Sequence, residues 1–486
     1  LASKTAIKAS GSKASTTNNG TLPAYNADSY HRFTAEAKQR VKAELGLLRS
    51  KHHFTHFGTL DSSTGLENLK QLHNLTRHLL KKKRQKPLLL YVQVHNLNEL
   101  DPSYLPKAIE SLVTITNKVI QEPFSIFRVR SKHLAIMVHN ANPSHSIDCY
   151  AKQIVERYSI ENRRFHMVKA PIITLGCRAI DDSLDYAYDY ITAATKACYY
   201  AKHAKKSPIT IHDESSKPNI ERFFYIDQGI EKAIENGEIY AVFQPIVDVD
   251  KNEVISFEAL ARWKSPLFGD IYPDEFIPVA EGKGSIYELG LLIFKAACQF
   301  IKQYQLKHGN QVSVSVNVSA LQLMESRFPQ QLISLAVAEG VNLKHIVLEL
   351  TETVLVDQNN TISTQLEQLS AAGFKLALDD FGAGLTSIQS FFLLPFKQIK
   401  IDKNLTWLTM TNSMSEQFVR FIATLSQAHQ IKVVAEGVEN IEQQNLMKSM
   451  GIKRLQGYFY SRPLLVSNAL EFVNNCQSNK DCCCTN

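Results

Sequence analysis

A chain of 486 residues, 44% hydrophobic and 21% charged, is too long for one ordinary core, so two or three domains of ordinary soluble composition are expected. Its net charge of +7 suits attraction to phosphate-bearing ligands but falls short of a nucleic-acid footprint, which excludes a nucleic acid polymer as partner. No run approaches the roughly 18 apolar residues of a membrane span, and the N-terminus lacks a signal-peptide apolar region.

Eight cysteines show no regular framework. Cys149, Cys177, Cys198 and Cys298 stand alone in apolar or helical contexts and read as reduced, buried thiols, which points to a cytoplasmic setting. Cys482, Cys483 and Cys484 cluster in a polar tail at 471–486. A disordered end accounts for them, with lipidation or metal binding as alternatives. The chain opens on Leu1 rather than Met, which leaves room for an upstream sensor or membrane anchor.

In chain order, residues 1–28 are rich in Ser, Thr, Lys, Asn and Ala and read as a flexible tail. Residues 29–48 have helical spacing and many charges, so the stretch 29–52 reads as an exposed helix leading into the first domain. From 53 to 213 strands and helices mix. Apolar strands are expected at 88–94 and 134–138, and helices at 105–120 and 188–205, giving an α/β or α+β domain. The run KKKRQK at 81–86 lies between a helix and a strand and reads as a solvated helix end.

The stretch DSSTGLENLKQL at 61–72 resembles the opening signature of GGDEF domains, the diguanylate cyclase fold. TKACYYAKHAKK at 195–206 is similar to that family's closing helix. Where the family carries its GGDEF hairpin, this chain has RSKHL at 130–134, with Lys132 or His133 in place of the metal-binding acid of the turn. The other expected aspartates, after the first core strand, align with Gln93 and His95. The segment 121–124 also lacks the Arg-x-x-Asp of the family's inhibitory product site. A cyclase must hold Mg²⁺ on carboxylates to neutralise a triphosphate. The resemblance therefore implies a degenerate, non-cyclising domain.

Residues 214–219 form a polar linker, and 220–237 a helix that opens the second domain, 220–470. Short apolar strands then recur at 241–249, 254–261, 312–318, 346–350, 374–378, 398–401, 433–435 and 454–459. Helical stretches at 287–304, 328–338, 361–372, 415–429 and 441–450 separate most of them. About eight strands with intervening helices is the count of a (β/α)₈ barrel, whose site residues project from the C-terminal strand ends.

Within KLALDDFGAGLTS at 375–387, 376–378 has strand character and 381–387 is expected as loop. Asp379 and Asp380 then sit where a buried strand ends. Adjacent carboxylates repel unless a cation lies between them, so the pair reads as a divalent-metal site, against a capped turn using Asp for local hydrogen bonds. The rest of the barrel favours the metal. Gln244, Glu258, Asn317, Glu349, Glu352, Lys400, Asp402, Glu436, Glu439 and Gln456 also fall at the eight strands or their ends. Packing does not explain a carboxylate, amide or lysine on each strand, because unpaired buried charges are costly.

The motifs FQPIV, FEALARW, VSVNVS, ELTE, DDFGAG, KIDK, AEGVE and LQGYF occur here in the order of the EAL domain, the cyclic-di-GMP phosphodiesterase family. The resemblance covers about 220–465 and implies a modified TIM barrel with one antiparallel strand. It implies hydrolysis of cyclic-di-GMP to linear pGpG with Mg²⁺ or Mn²⁺, two ions, held by oxygen ligands. It places Glu258, Asn317, Glu349 and Asp379 on one ion, and Asp379, Asp380 and Glu436 on the second. Lys400 would position the attacking water and stabilise phosphate charge, and with Glu436 and Glu352 it makes up the catalytic group. Arg262 and Gln244 would bind substrate through phosphate and guanine. Asp402, Glu439 and Gln456 would orient water or ligands.

Glu352 would also anchor a mobile loop at 381–387, where Leu385 and Thr386 differ from the commoner aromatic and serine. A homodimer through the EAL domain is implied. Two alternatives stand beside catalysis: a silent EAL domain that senses cyclic-di-GMP, and an adaptor role for the first domain. A receptor would usually have lost metal ligands; this chain keeps them.

Overall fold

The computed structural model describes residues 59–61, 63–82, 85–96, 104–142, 145–163, 171–204, 207–351, 360–383 and 395–478. The expected helix at 29–48, Glu352, most of the loop after Asp380 and the cysteines at 482–484 lie outside them. Among the described residues, fifteen strands form two sheets.

The first sheet is built from β1 (Glu67–Asn68), β2 (Leu88–His95), β3 (Phe124–Arg130), β4 (His133–Val138), β5 (Ile172–Ala179) and β6 (Ile209–Ile211), in the order β1-β3-β4-β2-β5-β6. Its centre explains why β2 reads as a continuous apolar run. Leu88, Leu90, Val92 and Val94 enter one core with residues of the Tyr104–Val119 and Ile147–Arg163 helices. Leu89 and Tyr91 face the other way, into a core with the Leu69–Leu80 and Ala187–Ala204 helices. A strand covered on both faces needs no polar alternation. Strands β1, β3, β5 and β6 escaped the sequence reading. β3 carries Ser125, Arg128 and Arg130 among its apolar residues, and β5 carries Thr174, Gly176 and Arg178. β3 and β4 form the hairpin expected around 130–134, with Ser131 and Lys132 at its turn.

The second sheet contains β7 (Ile239–Asp248), β8 (Glu253–Ser265), β9 (Gly269–Ile271), β10 (Ser313–Asn317), β11 (Ile346–Thr351), β12 (Lys375–Phe381), β13 (Phe396–Ile401), β14 (Lys432–Ala435) and β15 (Arg454–Leu455). β10 pairs with both β11 and β8, which closes eight strands into a barrel, with β9 hanging on β8. β7 is antiparallel to both its neighbours, β15 and β8. All other barrel pairings are parallel. The outer wall is aromatic and aliphatic. Phe243 and Phe257 of β7 and β8 meet Phe300 of the Ile286–His308 helix at ring separations of 4.0 and 5.0 Å.

Three expectations need correction. The eighth strand stops at Leu455, not 459, because the chain turns at Gln456–Gly457, where the Val438 N–H donates to the Gln456 carbonyl. Phe381 belongs to β12 rather than to a loop; it is buried and pairs with Ile401. Cys149 is half-buried, whereas Cys177, Cys198 and Cys298 are buried free thiols. Among the described residues, no helix is long and apolar enough to cross a membrane.

Candidate active site

The barrel register sets the site. Parallel pairing puts Glu258 opposite Ser315, Asn317 opposite Glu349, and Asp379 opposite Thr351. Alternate residues of a strand share a face, so Glu258, Glu349 and Lys400 rise inside the barrel while their neighbours pack outward. β12 departs from that rule. The register shifts between Leu378 and Phe381, and Asp380 takes a left-handed backbone at φ 54°. In a regular strand two adjacent side chains point to opposite faces. Here the bulge brings both aspartates to the same mouth, where Asp379, Asp380 and Glu436 offer carboxylate oxygens within 4.8 Å of one another.

Lys400 is the centre of the cluster. Its side chain is 1% exposed, and its Nζ lies 3.0 Å from Glu258 Oε2, 2.8 Å from Glu349 Oε2, 3.2 Å from Asp379 Oδ1 and 2.6 Å from Glu436 Oε1. Three ammonium protons cannot serve four carboxylates. Glu258 is also gripped by two amides: Asn317 Nδ2 donates to its Oε1 at 2.8 Å and Gln456 Nε2 to its Oε2 at 2.7 Å.

Burial pushes each carboxyl up, and Lys400 pulls it down. For Glu258, Lys400 and the two amides outweigh burial and hold it below the ordinary value. For Glu349 burial wins, with Glu258 and Asp379 adding to it against Lys400, and the group stands well above the ordinary value. Asp379 is raised in the same way, by burial and by Glu258 against Lys400. Glu436 is pushed up to about 8, by burial and then by Asp379 against Lys400. Asp380 is pushed up to about 6, by burial and the charge of Asp379. Burial opposes the charge of Lys400 itself, yet its four acidic neighbours keep it well above the ordinary lysine value. The cage is short of positive charge.

Those residues fit a hard cation. Glu349 Oε1 and Asp379 Oδ1 are buried without a hydrogen-bond partner, the latter meeting Lys400 without the alignment of a hydrogen bond. Glu258, Glu349 and Asp379 form one grouping able to hold an ion, and Asp379, Asp380 and Glu436 a second. Oxygen donors without His or Cys suit Mg²⁺ or Mn²⁺ better than Zn²⁺.

Other residues named from the sequence stand around this cage. Gln244 is buried with both amide ends engaged: its Oε1 accepts from Gln456 Nε2 and its Nε2 donates to the Ser461 carbonyl, each at 3.2 Å. Arg262 is half-buried opposite Tyr240 and donates to the Ala261 carbonyl at 2.7 Å. Asp402 caps the Lys403–Leu408 helix by accepting from the Asn404 N–H at 2.9 Å. Glu439 is exposed, and its backbone N–H donates to Gln443 Oε1 at 2.7 Å. The sequence offered no signal for Trp407, whose indole N–H donates to the Gly437 carbonyl at 2.7 Å, one residue beyond Glu436.

This part of the chain thus folds as a closed eight-stranded barrel with one inverted strand and, at its mouth, a carboxylate cage able to hold a cation. Residues 227–463 match the EAL domain. Over 431 residues the chain is 26% identical to the oxygen sensor protein DosP of Escherichia coli, covering 86% of this chain and 52% of DosP. Over 256 residues it is 33% identical to the probable cyclic di-GMP phosphodiesterase PdeI of the same organism, covering 52% of this chain and 32% of PdeI. A Vibrio cholerae LapD structure, S helix-GGDEF-EAL bound to c-di-GMP, covers 88% of this chain and 99% of its own at a TM-score of 0.54. At 15% identity it shares the fold alone. The chain thus spans 52% of DosP's length and 32% of PdeI's.

Proposed function

We propose that the domain at 220–470 is a cyclic-di-GMP phosphodiesterase that cleaves one 3′–5′ linkage to give linear pGpG. The observation that carries the reading is the buried cage around Lys400 within the stretch that matches the EAL domain, supported by the similarity to PdeI. Mg²⁺ or Mn²⁺, as two ions, would supply charge neutralisation for the phosphodiester and an activated water. Glu258, Asn317, Glu349 and Asp379 would hold one ion, and Asp379, Asp380 and Glu436 the other. Lys400 would hold the attacking water in place and carry part of the phosphate charge, within a catalytic group that includes Glu436 and Glu352. Arg262 would bind a phosphate oxygen. Gln244 would meet guanine only by exchanging its bond to the Ser461 carbonyl. Gln456 would keep Glu258 oriented, and Asp402 and Glu439 would act on water or neighbouring ligands.

The domain at 53–213 is a GGDEF-like fold without cyclase chemistry in this proposal, regulatory or structural in role. What supports that reading is the chain's own residues: Gln93 and His95 on β2 and Lys132 and His133 at the hairpin stand where carboxylates would be needed. A homodimer through the EAL domain, an upstream sensor and a cytoplasmic setting complete it. The test is product analysis of the purified chain with cyclic-di-GMP and Mg²⁺ or Mn²⁺, beside Glu258→Ala. Linear pGpG from the unaltered chain alone is the expected result. Tight binding without turnover by the unaltered chain would move it to the receptor class.

A further inference from the structure

The cage is held from outside at its Asn317 corner. Asn317 is the last residue of β10, and its amide grips Glu258 at 2.8 Å. The next two residues are pinned in turn. The Val318 N–H donates to the Glu349 carbonyl at 2.8 Å. The Ser319 N–H donates to Gln322 Oε1 at 2.9 Å, and the Ser319 hydroxyl donates to Glu281 Oε1 at 2.7 Å. Gln322 is buried against Gly290, where an added Cβ would come within 2.0 Å of its Nε2. Glu281 lies in the last turn of the Pro273–Lys283 helix and belongs to neither carboxylate grouping able to hold an ion.

We infer that Glu281 is a positioning residue: through Ser319 it fixes the end of β10, so that Asn317 meets Glu258 in a geometry ready for a divalent ion. The inference rests on the metal-dependent reading above. A carboxylate acceptor makes a stronger, more directional bond to a hydroxyl than a neutral group does. Losing a group bonded directly to a metal ligand typically weakens the metal by about 10–100-fold, and Glu281, which acts through Ser319 and the backbone to Asn317, falls at the lower end of that range.

The test is Mn²⁺ binding to the full chain, by calorimetry, for the unaltered protein, Glu281→Gln, Glu281→Ala and Ser319→Ala, with melting temperatures alongside. Glu281→Gln keeps an acceptor oxygen and should stay within about twofold of the unaltered affinity. Glu281→Ala and Ser319→Ala should each weaken Mn²⁺ by about tenfold while the chain still melts cooperatively. An alanine variant that binds Mn²⁺ like the unaltered chain, or one that changes only the melting temperature, overturns the inference. So does a glutamine variant as weak as alanine. Mn²⁺ binding that Glu258→Ala abolishes, without any pGpG formed by the unaltered chain, would defeat the phosphodiesterase reading and leave the Glu281 result to stand. A chain that binds no Mn²⁺ overturns both.

Discussion

The two sheets handle polar strand residues in opposite ways. In the barrel, Glu258, Glu349, Asp379 and Glu436 converge on Lys400. In the first sheet, β2 and β4 bring Gln93 opposite His133, and His95 Nε2 lies 2.7 Å from Thr174 Oγ1. Burial pushes both histidines down to about 4, helped by Lys202 beside His95 and Arg130 beside His133. They are neutral at pH 7, among cations. One sheet therefore keeps carboxyls whose ionisation a further cation would favour, and the other keeps neutral rings that need none. A polar residue on a strand signals a site when its charge is left unbalanced, not merely when it is buried.

The sharpest way to break that contrast is Lys400→Met, which keeps the volume and removes the charge. Taking one partner from a buried ion cluster costs about 3–5 kcal/mol. The metal-free variant should lose stability on that scale in urea or thermal unfolding, and Mn²⁺ should restore more of it than it adds to the unaltered chain. Equal stabilisation of both by Mn²⁺ would mean that the lysine and the ions do not share the same carboxylates.

Much of this contrast was legible beforehand, for a physical reason. Barrel strands carry a polar residue at a fixed place in a short apolar run, so Glu258, Glu349, Lys400 and the strands that hold them stand out. What was not legible depends on backbone detail. The bulge that turns Asp379 and Asp380 to one mouth leaves no mark in a sequence of two aspartates. The contacts of Gln244 to Gln456 and Ser461 span more than two hundred residues of chain, beyond any local pattern. Glu439 shares a motif with Glu436, yet ends exposed. In the first sheet β3 and β5 were missed because their polar members are held by neighbours: Arg128 donates to the Ser131 carbonyl, and Arg178 to the His212 carbonyl at 2.6 Å.

A smaller effect tests the histidine side. For His95 and His133 the folded value, about 4, lies below the unfolded value near 6.5. Between those values the unfolded chain binds protons that the folded chain refuses, so stability falls as pH drops from about 6.5 toward 4 and is fully present above that window. His95→Gln with His133→Gln should flatten this part of the curve for the first sheet's unfolding. Partial exposure moderates the size of the effect. An unchanged pH profile would mean that both rings already accept a proton in the folded chain.

The smallest expected effect probes whether the cage depends on its surroundings. Trp407 is 39% exposed, yet its indole N–H reaches the Gly437 carbonyl. Gly437 itself is left-handed at φ 67°, and an added Cβ would lie 2.4 Å from Lys403 Cβ. Backbone so tightly placed beside Glu436 leaves that carboxylate little freedom. Trp407→Phe keeps an aromatic ring and deletes one hydrogen bond, worth about 1 kcal/mol. If the bond only stabilises the fold, the melting temperature drops slightly and the kinetics do not move. If it also holds Glu436 toward Asp379 and Asp380, kcat should fall at a KM close to that of the unaltered chain, because binding is retained while the reacting geometry loosens. The second result is expected, since Gly437 adjoins Glu436 in the chain and Glu436 lies 2.6 Å from the buried lysine.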